Sequence, residues 1–391
     1  MSNIVQSVKF AVFFIVFLYA GKTTAQEHIK PVFNDHNGKI TESGAWIPTN
    51  TEEMKGQVLG PFVRNKEGHI VAIDGGQSLI SQDEGQTWQR YELFDKPEKY
   101  HISGERALLT MRSGVIVFAF MNLAERANWN WDPEISDAPE ATLPTYTMRS
   151  MDGGKTWKDI QKRHDEHTGA IRTMIETKKG NVIFTSMMMR HNPGHHTVLT
   201  YTSKDEGKTW KRSNVIDLGG IGDHSGVTES TIVQLNDGRI WQLMRTNWGT
   251  FWEAISDDEG ISWKGVKTTG VTASSAPGQL KRLGSGRLVL IWNRRFPEGK
   301  HTYPFRGGDN QFSEVAASNH REELSIAFSD NDGKTWSKPK VIAKSYKIQN
   351  SDTTKAWIAY PYIFEAKPGE LWVTTMQGDL RMKLNEKDFV N

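Results

Sequence analysis

The chain has 391 residues, no cysteine and 14 tryptophans, with 48 Lys and Arg against 46 Asp and Glu. The missing cysteine excludes a disulfide framework and a lipid-modified cysteine. The near balance of charge, a formal +2, shows none of the basic excess that points to nucleic-acid binding, and no nucleic-acid partner is expected.

At the N-terminus, Lys9 precedes an apolar run from Phe10 to Ala20, followed by Gly21-Lys22-Thr23-Thr24-Ala25. The run is short for a stable membrane-spanning helix, and Thr23-x-Ala25 suits a signal peptidase. Residues 1–25 are therefore expected to be a signal peptide, with an uncut anchor as the alternative. Residues 26–391 are expected to be one domain, exported to the periplasm or secreted, monomeric, and unattached to membrane after cleavage.

From Glu67 onward, a glycine-bearing turn followed by an apolar strand recurs six times, at Gly68, Gly114, Gly180, Gly238, Gly286 and Gly369. After each of the first five comes one copy of a second pattern, S-x-D-x-G-x-[TS]-W. The copies start at Ser81, Ser150, Ser203, Ser256 and Ser329 and end at Trp88, Trp157, Trp210, Trp263 and Trp336. The fourth closes Ser262-Trp263, and the fifth has Asn331 in place of the Asp. In each copy the carboxylate caps backbone N–H groups, the glycine takes a positive φ, and the tryptophan anchors the turn. Six hairpins predict an all-β, six-bladed β-propeller of four-stranded antiparallel blades, whose closure protects strand edges. The two long intervals between boxes hold insertions near 122–144 and 296–320. Both are rich in Pro, Asn, Asp and Gly and read as loops.

This second pattern is the Asp-box, and through it the chain resembles the sialidase-like β-propellers over roughly residues 55 to 390. Equivalent offsets in successive blades should reach equivalent places around the central funnel. Nine residues before the turn glycines stand Leu59, Glu105, Ile171, Glu229, Pro277 and Tyr360; eight before stand Gly60, Arg106, Arg172, Ser230, Gly278 and Pro361. Asp74, Asn122, Met188, Arg245, Asn293, Arg294 and Gln377 fall at the far end of the following strand, with Arg190 and His191 just beyond. Glu105, Arg106, Arg172, Glu229, Arg245, Arg294 and Tyr360 together describe a polar, net-basic centre suited to an anionic ligand. Trp129, Trp131, Trp248 and Trp252 are candidates for sugar stacking, with blade packing as the competing role.

The resemblance implies three arginines on a substrate carboxylate, a tyrosine nucleophile polarised by a glutamate, and an aspartate acid/base on a loop. Glu229 in Val227-Thr228-Glu229-Ser230 matches the glutamate, Tyr360 in Ala359-Tyr360-Pro361-Tyr362 the tyrosine, Arg245 the second arginine, and Arg294 or Arg295 the third. The first arginine is missing: the family's Arg-Ile-Pro stands here as Leu59-Gly60-Pro61. Asp74 is the available acid, without the family's following arginine.

Three functions remain open. Because Leu59 replaces an arginine, the sequence favours β-elimination by a lyase or dehydratase on a uronate-containing oligosaccharide. Tyr360, His224, Glu229 and Arg245 would be catalytic, and Arg294, Arg106, Arg172, Arg190, His191, Glu105 and Asp74 would bind substrate. A cation acidifies the C–H beside the carboxylate, a base removes the proton, and an acid protonates the group leaving C4. The second is a sialidase-like exo-glycosidase, with Tyr360 and Glu229 as the nucleophile pair. The third is a non-catalytic glycan-binding propeller. No cofactor motif is present. His191, His195 and His196 cluster in sequence, but no spacing matches a metal motif, and adjacent strand residues face opposite ways.

Overall fold

The structure, a computed structural model, describes residues 37–222, 224–296, 319–345 and 357–390, together with the backbone of the strands Tyr303–Arg306 and Phe312–Val315. The expected signal peptide lies outside the described residues. Among the described residues the regular structure is strand and short 3-10 turns, and no helix is long and apolar enough to cross a membrane.

Six antiparallel sheets follow one another along the chain, as the six glycine turns predict. The first strands of the blades are Val63–Arg64, Ile102–Thr110, Met174–Glu176, Thr228–Gln234, Gln279–Arg282 and Ala359–Lys367. Each turn glycine joins a first strand to a second. The second strands, such as Val182–Arg190 and Leu288–Trp292, are almost wholly buried apolar runs. Blade six is completed from the other end of the chain. Glu52–Glu53 pairs with Arg381–Asn385 in the register Met382↔Glu53 and Lys383↔Glu52, so the ring has no free seam there. Blade five is extended outward by Ala45–Pro48 and Gly38–Ile40. The two insertions, read as loops, are partly structured. The first carries the 3-10 turn Leu123–Glu125 and bridges Ala127 to Thr142 and Asp132 to Asp137. The second carries the hairpin Tyr303–Arg306/Phe312–Val315.

Each Asp-box caps the exit from a third strand. In the fourth copy, Ser256 Oγ donates to Asp258 Oδ1 at 2.8 Å, and the Gly260 and Ser262 N–H groups donate to Ser256 Oγ and Asp258 Oδ1 at 2.8 Å. In the fifth copy the Asn331 amide reproduces this and donates from Nδ2 to Thr335 Oγ1 at 2.8 Å. The residue before the box glycine also adopts positive φ, as at Glu259 (64°) and Asp332 (58°). The box glycine has a second role beyond the turn. Thr200 Oγ1 and Thr202 Oγ1 of blade three donate to the Gly260 and Glu259 carbonyls at 2.9 Å, so the box of one blade is bonded to the blade before it. A Cβ on Gly333 would lie 2.4 Å from the Trp241 ring of blade four, and one on Gly85 would lie 2.7 Å from Trp372 of blade six.

Gly333→Ala should therefore cost about 1–3 kcal/mol in overpacking beyond the left-handed strain at φ 78°. Gly238→Ala, at φ 92° with nothing within 4 Å, should show the strain alone. Denaturant midpoints of the two variants measure the difference. Equal losses would mean that the box does not lock neighbouring blades.

Candidate active site

Three of the equivalent positions nine residues before the turn glycines carry ionisable side chains: Glu105, Glu229 and Tyr360. The structure brings all three to one cavity of about 250 Å³, lined also by Arg126, Trp129, His167, His196, His224 and Arg245. Glu229 and Tyr360 sit at positive φ, 35° and 61°. For non-glycine residues this conformation costs on the order of 1–3 kcal/mol each and persists only where the surroundings hold it. At Glu229 it coincides with a register shift between Thr228 and Thr231, which turns the side chain out of the regular strand alternation.

The centre is a hydrogen-bonded triad. Tyr360 Oη donates to Glu229 Oε1 at 2.8 Å, and Arg245 Nη1 donates to Glu229 Oε2. Arg245 Nη1 also lies 3.3 Å from Tyr360 Oη, and its Nη2 donates to Ser275 Oγ at 3.0 Å. Arg321 places its guanidinium 5.5 Å from the Tyr360 ring centroid and 4.5 Å from that of Trp357. It donates to the Ser275 carbonyl at 2.7 Å and to Gln377 at 3.1 Å. Arg172 lies 5.4 Å from the Tyr360 ring and 4.6 Å from the Tyr362 ring.

These contacts set the charges. Burial pushes the Glu229 carboxyl up, but Arg245, by charge and hydrogen bond, outweighs it and holds the group below its ordinary value. Burial, aided by the Glu229 charge, raises the Tyr360 phenol, so Tyr360 is neutral and Glu229 is the anion. Glu105 behaves oppositely. Burial, and then Glu229, push it up to about 8 despite Arg172, Arg245 and Arg321. At neutral pH three guanidinium groups, Arg172, Arg245 and Arg321, therefore act on the centre against one carboxylate, with Arg245 lining the cavity itself, a surplus of positive charge suited to an anion.

The structure distributes the other sequence candidates less compactly. His224 is on the cavity rim and exposed. Arg106 is buried among backbone carbonyls, donating to Ile73 at 2.5 Å and Leu59 at 3.2 Å, so it braces blades one and two and is not placed to bind substrate. Arg294 is held by Glu323 at 2.6 Å, and Arg321, not Arg294, places its guanidinium over Tyr360. Asp74 is exposed and faces Arg90 at 3.5 Å, outside the cavity lining. Arg190 is exposed at a strand end, and His191 is tied to Asp137 at 2.8 Å; neither lines the cavity. His195 Nε2 pairs with Asp217 at 3.0 Å. Arg172 lines the axial channel with Tyr362, outside the cavity of Tyr360. Trp129 covers His167, ring centroids 4.3 Å apart, and Trp248 packs edge-on to Trp252 at 5.4 Å. No group of three or more His, Cys, Asp or Glu residues that could hold a metal occurs among the described residues.

Sequence reasoning missed Arg321, Ser275, His167 and Arg126. Arg321 follows the second insertion, which displaces it from the offset count. The available signal was its place directly before the strand Glu323–Ser329. His167 follows the last strand of blade two, Lys158–Glu166, a position the offsets did not sample.

Residues 79–373 match the family model described as the BNR repeat-like domain. A sialidase of Micromonospora viridifaciens is 23% identical over 356 residues, covering 85% of this chain and 51% of that protein. The chain thus spans about half the length of the curated relative it matches. Among solved structures, a protein of unknown function from Dyadobacter fermentans has a TM-score of 0.55 at 16% identity, over 87% of this chain and 98% of that one. A Hadza microbial sialidase has a TM-score of 0.55 at 16% identity, over 90% and 66%. A Trypanosoma rangeli sialidase, in complex with 2,3-difluorosialic acid as a covalent intermediate, has a TM-score of 0.52 at 12% identity, over 89% and 59%. At these identities the structural likeness shows a shared fold.

Replacing Arg245 leaves the Glu229 carboxylate buried without its cation, so Arg245→Met should cost about 3–5 kcal/mol. Glu229→Gln in the same chain should recover part of the loss. The sign with pH is also fixed. In the wild type a carboxyl depressed below 4.5 stabilises above that pH, and the contribution is lost as pH falls through the lowered value. In Arg245→Met the unpaired carboxyl destabilises above that pH, so the deficit shrinks on acidification. Denaturant unfolding of the wild type, both single variants and the double variant checks this; additive losses would mean the pair is uncoupled.

Proposed function

The chain belongs to the BNR repeat-like domain family, and from that premise we propose that it is a glycan-acting enzyme, an exo-glycosidase that hydrolyses a terminal acidic sugar with Tyr360 as nucleophile. The observation that carries this reading is the bond from Tyr360 Oη to Glu229 Oε1 at 2.8 Å, inside a cavity with a positive surplus. A neutral phenol approaches a carboxylated sugar without the repulsion a carboxylate nucleophile would meet. Glu229 accepts the phenol proton as the oxygen attacks the anomeric carbon, and Arg245 steadies the charge passing between them. The substrate carboxylate would lie against Arg245 and Arg321. The likeness to sialidases supports hydrolysis over elimination, and Arg321 supplies a cation that the sequence reading assigned to Arg294 or Arg295.

One observation favours a second reading. His167, His196 and His224 line the cavity while Asp74 does not. In elimination from a uronate, Tyr360 or a histidine would only move protons, and the product would carry a C4–C5 double bond.

Incubation with a fluorinated acidic sugar, followed by peptide mass spectrometry, separates the two. An adduct on Tyr360, absent in Tyr360→Phe, supports hydrolysis. An unsaturated product seen by ultraviolet absorbance, with no adduct, replaces it with elimination. Binding with no turnover of any acidic oligosaccharide leaves a glycan-binding propeller. Glu229→Gln should slow hydrolysis by roughly 10²–10⁴-fold, and Arg321→Ala should raise Kd for a carboxylated sugar more than for its neutral analogue.

A further inference from the structure

A glycosidase with a tyrosine nucleophile needs a second group, one that protonates the departing oxygen and later takes a proton from water. Asp74, the residue the sequence offers, is exposed, paired with Arg90 and outside the cavity. We propose that Glu105 is the proton donor of this site, a role that rests on the hydrolytic reading. Glu105 lies in the first strand of blade two, Ile102–Thr110, and lines the same cavity as Tyr360, Glu229 and Arg245. Its Oε1 is buried and has no hydrogen-bond partner. Buried carboxyl oxygens are normally satisfied, so an unmatched one beside a nucleophile has its natural partner in a ligand.

The surroundings decide its protonation. Glu229, Arg172, Arg245, Arg321, Tyr360 and Tyr362 surround it, and Arg126, His167, His196 and His224 share its cavity. Burial and the Glu229 charge hold Glu105 protonated up to about pH 8. Burial takes His167 down to about 3, and burial raises both Tyr360 and Tyr362. The two carboxyls thus divide the work: Glu229, paired with a cation, is the base for the phenol, and Glu105, without one, is the acid.

The steps balance. As the Tyr360 oxygen bonds to the anomeric carbon, the glycosidic C–O bond breaks, the phenol proton passes to Glu229, and the Glu105 proton passes to the leaving oxygen. In the second half Glu105, now a carboxylate, takes a proton from water as the water oxygen bonds to the anomeric carbon. The Tyr360–carbon bond breaks, and Glu229 returns the phenol proton.

Glu105→Gln tests this with two substrates of the same acidic sugar, one with an alkyl aglycone and one with an activated nitrophenyl aglycone that leaves without protonation. The variant should lose roughly 10²–10⁴-fold on the alkyl substrate. On the nitrophenyl substrate it should show a fast burst and slow turnover, with the glycosyl adduct accumulating on Tyr360. The wild-type kcat/KM should fall as pH rises through about 8, and the variant should lack that limb. Equal losses on both substrates with no accumulation, or an unchanged alkaline limb, would overturn the role of Glu105 while a wild-type Tyr360 adduct upholds the parent reading. Absence of the wild-type adduct overturns both. A protonated-carboxyl infrared band at neutral pH, present in the wild type and missing in Glu105→Gln, tests the protonation without any substrate. A spectrum unchanged by the substitution counts against the proposal.

Discussion

A carboxylate, a guanidinium and a phenol meet inside the ring, and much of the architecture can be understood as the means of holding them there. Glu229 comes from blade four at the bulge of its first strand, Arg245 from the end of the next strand of that blade, and Tyr360 from blade six. Both Glu229 and Tyr360 adopt positive φ, a cost that a free strand would relieve by relaxing. Relaxation would leave a buried carboxylate unpaired, which is more expensive still. The strain and the ion pair therefore secure each other. Neither would hold without a scaffold that fixes blade six relative to blade four.

That scaffold is fixed blade by blade. The Asp-box is a turn when read within one copy, but its neighbours are across the blade boundary. The carbonyls of Glu259 and Gly260 accept from threonines of blade three, and the glycines at 85 and 333 allow tryptophan rings of other blades to approach. The last blade has no box after it and is closed by the strand Glu52–Glu53. A repeat that bonds each blade to the preceding one transmits position around the ring, so groups from blades far apart in sequence can converge at bonding distance.

This division explains what the sequence made legible. The blade count was readable because box and turn chemistry is local: Ser, Asp and Gly at fixed spacing define bonds within a few residues. Glu229, Tyr360, Arg245 and Glu105 were readable because they keep a fixed offset from the turn glycines. The offset fails wherever an insertion intervenes. Arg321 follows the second insertion, and the count placed Arg294 in its stead, although Glu323 claims that side chain. Arg106 keeps the right offset but points to the carbonyls of Leu59 and Ile73. Offset fixes the blade position and leaves the partner undetermined. Closure by Glu52–Glu53 was illegible for another reason: two acidic residues carry no strand periodicity, and their pairing depends on an edge formed by the far end of the chain.

Within Leu59-Gly60-Pro61 the glycine has a packing reason, and the residues it packs against bear on the charge of the site. A Cβ at Gly60 would lie 2.9 Å from that of Tyr362, so this position cannot carry a longer side chain without displacing the tyrosine. Tyr362 in turn receives the Arg172 guanidinium on its ring at 4.6 Å and accepts the Arg106 N–H at 3.0 Å. A cation is therefore present near Tyr360, contributed by blade three and held on ring faces rather than in the cavity itself. Such a charge acts through space: it favours an anion in the cavity without occupying the room a ligand needs. Arg245 and Arg321 are both anchored through Ser275, and that shared anchor fixes their spacing before any ligand arrives.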